Sequence, residues 1–168
     1  MTRASLPALG YAYVVLALPA LLLGRDHVRA TTALLTAAAF AYLWFLASLR
    51  SRLVRFDPDG FFASVVVLGG AAYLALETVA VMAGTTQAAG PASACAATVI
   101  IGSSQAAWRA RKIPKWFGQA GLVGGLAVLA VGLVEAAANW TLAGDAVYAS
   151  SLGFMVWVVV TATYLLRR

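Results

Sequence analysis

Residues 61–84 read FFASVVVLGGAAYLALETVAVMAG, twenty-four residues with one charged side chain, Glu77. As a helix rising ~1.5 Å per residue this run is ~36 Å long, enough to cross the ~30 Å hydrocarbon core of a bilayer. Its internal spacing also defines a face. Ala63, Val66, Gly70, Tyr73, Glu77, Ala80 and Gly84 recur at steps of three and four, so small residues and the carboxyl share one side. Small residues at that spacing mark places where membrane helices approach closely. The face, and Glu77 with it, is expected to point into a bundle.

Working outward, five more stretches have the same character: Ser5–Gly24, Thr31–Leu49, Pro91–Trp108, Phe117–Trp140 and Ala146–Leu166. Composition agrees. The 168 residues are 62% hydrophobic and 11% charged, with a mean hydropathy of +0.87. Soluble domains are about half apolar and about a quarter charged. This much apolar surface cannot be hidden in one small core, which excludes a soluble enzyme, a nucleic-acid binder and a disordered chain. The expected fold is all-α, a single integral-membrane domain of six helices, with the bilayer as its principal partner. The first stretch follows Arg3 as a secretion signal would. It lacks a small-x-small cleavage site after Leu21-Leu22-Leu23-Gly24, so it reads as a helix, with Pro7 in its first turn and a kink at Pro19.

The net charge of +6 is then a topology signal. Arg3, Arg50, Arg52, Arg55, Arg109, Arg111, Lys112, Lys115, Arg167 and Arg168 fall on one side of a six-span arrangement; only Arg25 and Arg29 fall on the other. The positive-inside rule places both termini in the cytoplasm of a plasma-membrane protein. The basic face also attracts anionic head groups.

The inventory of reactive residues is short. His27 is the one histidine and Cys95 the one cysteine, so neither an intrachain disulfide exchange nor a histidine or cysteine metal cluster is available, and no cofactor is expected. Both lysines, Lys112 and Lys115, lie in a turn rather than a span, away from any Schiff-base position. Cys95 reads as a packing residue and His27 as a solvated loop residue. Tyr42, Trp44, Trp108, Trp116, Trp140, Tyr148 and Tyr164 read as an interfacial aromatic belt.

Four of the six acidic residues, Asp26, Asp57, Asp59 and Asp145, lie in links; Glu77 and Glu135 lie inside spans. An intramembrane carboxyl is costly unless paired or wetted, and is a functional candidate for that reason. Gly121, Gly125, Val128, Gly132, Glu135 and Asn139 form a second small-residue face, on the fifth span. Helical rise puts Glu77 ~24 Å and Glu135 ~27 Å from the cytoplasmic ends of their spans, in a common layer. Two carboxyls sharing a dry layer titrate as a pair, one holding a proton while the other carries charge. Tyr73 lies a turn inward of Glu77, and Trp157 sits near mid-membrane on the last span. Cys95, Thr98, Gly102 and Gln105 form a polar stripe on the fourth span, the least apolar and so the one expected to be most enclosed.

Two resemblances bear on this. The turn Arg109-Ala-Arg-Lys-Ile-Pro-Lys-Trp-Phe-Gly118 resembles that of several small, uncharacterised actinobacterial multi-pass membrane families and implies no activity. Tyr11–Gly24, Tyr42-Leu-Trp44, Phe56-Asp-Pro58 and Leu76-Glu77 together resemble one three-helix half of the membrane lycopene-cyclase type, whose relatives protonate isoprenoid double bonds with acidic residues. Where that family has Pro-x-Glu-Glu, this chain has Leu74-Ala-Leu-Glu77-Thr.

Three functions follow as expectations. The first is an acid-catalysed cyclase or isomerase of an isoprenoid-like substrate. Glu77 would be the general acid, Glu135 or Asn139 would steer the proton, Tyr73 and Trp157 would face the carbocation, and Gln105 would touch substrate. The second is a proton-coupled transporter of two inverted three-helix halves using the same carboxyls. The third is an accessory or lipid-binding subunit in which the glutamates bond helix to helix.

Overall fold

The computed structural model describes residues 6–23, 27–57, 59–83, 88–109, 113–137 and 143–164. Among them the chain forms six helices and no strand: α1 (Leu6–Leu23), α2 (Val28–Leu53), α3 (Phe61–Ala83), α4 (Ala89–Arg109), α5 (Lys115–Ala137) and α6 (Ala143–Tyr164). Each overlaps one expected span. α2 runs about a turn beyond both ends of its apolar stretch, carrying Arg50 and Arg52 in its last turn. Pro19 lies inside α1, and Pro114 sits before α5, its carbonyl accepting the Phe117 N–H at 3.0 Å.

α2, α3 and α5 are long and apolar enough to cross a membrane. The apolar parts of α1 and α6 are shorter, and α4 is interrupted by Ser93, Ser103, Ser104 and Gln105. Those serines are buried against neighbouring helices, and the polarity of α4 is the counterpart of its enclosure.

Consecutive helices pack side by side, and α6 returns to close against α1 while also touching α4. α4 meets α2, α3, α5 and α6, which makes it the most enclosed helix. Its tightest partner is α5. A Cβ added at Gly125 would lie 2.5 Å from Ile101 Cγ1, and one at Gly121 would lie 2.6 Å from Ser104 Cβ. Side chains of α4 seated this close on the α5 glycines maximise dispersion where no hydrophobic effect drives helix association. The small-residue face on α3 behaves likewise: Ala63, Val66, Gly70, Tyr73, Glu77 and Ala80 are all buried.

The turn into α3 is built by Asp57. Its Oδ2 accepts the Phe62 N–H at 2.6 Å and its carbonyl accepts the Gly60 N–H at 2.9 Å, with Gly60 at φ 68°. One unsatisfied amide of the helix start is thereby capped, and the glycine supplies the left-handed conformation that a side chain disfavours. Asp57, a link residue, is 1% exposed.

One aromatic expectation is corrected. Tyr42 is fully buried at the centre of the bundle, not in an interfacial belt. Its ring lies 4.8 Å from Tyr13, 5.9 Å from Phe154 and 6.2 Å from both Phe45 and Tyr73, joining α1, α2, α3 and α6. Because α2 extends from residue 28 to 53, position 42 is mid-helix. Trp44, Trp108, Trp116 and Tyr164 do face outward. Trp140 and the Tyr148 side chain lie outside the described residues.

Candidate functional site

Glu77 projects from the inward face of α3 with 8% of its surface exposed. Its Oε1 accepts the Ser151 hydroxyl from α6 at 2.7 Å. Tyr73, one turn earlier, is buried on the same face, its hydroxyl close to Tyr13 and Ser151. The Tyr73 ring packs 4.3 Å from Phe154. This corner, made by α1, α2, α3 and α6, surrounds a void of about 20 Å³ lined by apolar atoms, with Tyr13, Leu35 and Met155 in its walls. Such a void has room for about one water, and an apolar lining leaves it dry.

Of the expected site residues, the structure brings together Glu77 and Tyr73 and places Trp157 elsewhere. Glu77 faces α1, α2 and α6, whose residues line the void with it. Glu135 lies within α5; its side chain, and all of Asn139, fall outside the described residues. Trp157 is buried on α6, but in another place. Its Nε1 donates to Ser103 Oγ on α4 at 3.1 Å and its ring lies 4.8 Å from Phe117. Tyr73 and Trp157 therefore do not face a common space. Gln105 is half-buried and lines neither cavity. The stripe it belongs to packs on α3: Gly102 meets Val66, and Gly69 meets Thr98 and the Cys95 carbonyl. The polar spacing on α4 falls at that contact for Cys95, Thr98 and Gly102.

A larger feature lies between α5 and α6. α5 leans onto α4, leaving an open groove of about 460 Å³ whose walls are almost wholly apolar. Ile100 forms its floor, Trp116, Gly124 and Val131 mark α5, and Gly153 and Trp157 mark α6. From Trp116 to Val131 it follows α5 for about 22 Å. Gly124 differs from its neighbours Gly121 and Gly125: a Cβ there would meet nothing within 4 Å. Its missing side chain leaves groove, not packing.

No protein-family model, curated protein or solved structure matches this chain. Its own geometry is what speaks to function. Among the described residues no three His, Cys, Asp or Glu side chains converge as a metal site would require. Sequence reasoning missed Ser151, Tyr13 and the groove. A hydroxyl pair, Ser150-Ser151, in an apolar stretch was the available signal, since a hydroxyl in a bilayer must find a partner.

Proposed function

We propose that this protein is a multi-pass plasma-membrane protein that binds a lipid-like molecule, receiving its hydrocarbon in the α5–α6 groove. The groove carries the reading: it is apolar, about 460 Å³, and opens sideways between two helices. Small-molecule sites commonly fall between ~300 and ~1,000 Å³ with mostly hydrophobic walls. Three helices of spanning length and apolarity support membrane embedding, and the clustering of ten of the twelve basic residues supports cytoplasmic termini. The remaining helices cross with them as members of one packed bundle.

This reading takes the accessory or lipid-binding expectation ahead of the cyclase. Protonation of an isoprenoid by Glu77 needs substrate beside the carboxyl, and the void there is water-sized. A proton relay needs a wetted path, and that void is apolar. Glu77 acts instead as a tie between α3 and α6 through Ser151.

Purification in a mild detergent, extraction and mass spectrometry are expected to recover a bound lipid from the wild type and several-fold less from Gly124→Leu, which fills the groove. Equal recovery from the two overturns the reading. Turnover of a polyprenyl substrate that vanishes in Glu77→Gln returns Glu77 to the role of general acid.

A further inference from the structure

The described walls of the α5–α6 groove are made of small side chains, with three exceptions. Ile100 forms the floor, Trp116 stands at the start of α5, and Trp157 stands inside on α6; every other described wall residue is glycine, alanine, serine or valine. Trp157 is held from three sides. Its Nε1 donates to Ser103 Oγ at 3.1 Å, and Ser103 gives its own proton to the Val99 carbonyl at 2.7 Å, which leaves the oxygen free to accept. The Phe117 ring packs on the indole at 4.8 Å. Gly121 admits the far edge of the indole: a Cβ there would lie 2.7 Å from Trp157 Cη2. Swinging the indole outward would strip its N–H of a partner among apolar walls, a cost that hydrocarbon surroundings raise.

Resting on the lipid-binding reading above, we propose that Trp157 sets the depth of the groove and so selects the shape of hydrocarbon it takes: a slender unbranched chain is admitted and a chain with a bulky branch is turned away. The space that the indole fills is bounded by Ser103, Phe117 and Gly121 and lies directly behind the wall that the indole makes. Removing the side chain therefore extends the groove into the bundle. A cavity left by a large apolar side chain can accept a benzene ring, whereas a close-packed wall does not yield to one. The Ser103 bond is what makes the wall selective as well as bulky. A latched indole keeps its rotamer against an incoming branch, and an unlatched one can turn and give way.

The test uses full-length protein in a mild detergent, titrated with hexadecanol and with hexadecanol carrying a phenyl branch at mid-chain, binding being read by native mass spectrometry. Wild type is expected to bind the straight chain at least about ten-fold more tightly than the branched one. Trp157→Ala should bring the two within about two-fold, by gaining the branched probe and keeping the straight one. Ser103→Ala keeps the wall and removes its latch, so it should narrow the ratio in the same direction, and it carries the test if Trp157→Ala does not fold. A tryptophan that serves packing alone would weaken both probes together or neither. A wild type that binds both probes equally, or a ratio that the folded variants leave unchanged, overturns the role of Trp157 and leaves the lipid-binding reading standing. A wild type that binds neither probe, and from which no lipid is recovered, overturns the lipid-binding reading and this inference with it.

Discussion

Gly121 and Gly124 are three residues apart on one helix, and the same substitution to alanine should act on them in opposite directions. At Gly121 the new Cβ would lie 2.6 Å from Ser104 Cβ and 2.7 Å from Trp157 Cη2, closer still to Ser104 Oγ, where ordinary contact begins at 3.4 Å. α5 must move away from α4 by about 1 Å, and the contacts at Gly125 and Gly132 loosen with it. Overpacking of this kind costs about 1–3 kcal/mol. Alanine returns up to about 1 kcal/mol of helix propensity. Taking the upper figure for a backbone-level clash, Gly121→Ala should lose about 2 kcal/mol net. At Gly124 nothing lies within 4 Å, so Gly124→Ala keeps only the propensity gain, about 0.5–1 kcal/mol. The two variants should differ by about 3 kcal/mol, or roughly 6–12 °C in Tm for a chain of this size. Thermal unfolding in detergent, followed by size-exclusion fluorescence, reads that difference. Adding Ser104→Gly to Gly121→Ala should recover part of the loss, since the clashing side chain is gone. Equal Tm values for the two alanine variants, or a gain at Gly121, would refute the close α4–α5 approach on which the groove depends.

Other perturbations follow from single contacts. Ser151→Ala removes a buried donor from Glu77 and should cost about 1–3 kcal/mol, whereas Glu77→Gln retains a hydrogen-bonding partner for Ser151 and should cost under about 1 kcal/mol; chemical unfolding in mixed micelles compares them. Asp57→Ala removes the cap on the Phe62 N–H and should destabilise by about 1–2 kcal/mol, with hydrogen exchange rising first at the start of α3. Tyr42→Phe deletes a buried hydroxyl that has no hydrogen-bond partner, and should leave Tm unchanged or raise it by the equivalent of about 1 kcal/mol. A loss of more than that would mean the hydroxyl is satisfied in the membrane.

The face on α3 was legible because it is local. Steps of three and four bring Ala63, Val66, Gly70, Tyr73 and Glu77 to one side of a helix whatever the helix packs against. Gly121, Gly125 and Gly132 were legible as a close-approach surface for the same reason. Tyr42 was not, because its depth depends on how far α2 extends, and charged residues at the helix end obscure that length. The polar spacing on α4 records which side of the helix is enclosed without saying whether a helix or a ligand encloses it.

By itself, the sequence determined that this chain is helical, where its six apolar helices lie, and which faces turn inward. Periodicity and hydrophobicity are properties of neighbouring residues, and ten nearby letters suffice to read them. Only the tertiary structure decided that Glu77 meets Ser151, that Trp157 bonds Ser103, and that α5 leans on α4. These contacts join residues some 50–75 positions apart, and which helix becomes whose neighbour depends on packing summed over the whole bundle. The open space beside Gly124 is the remainder of that packing: a glycine reads the same in sequence whether its missing side chain admits another helix or leaves room for something else.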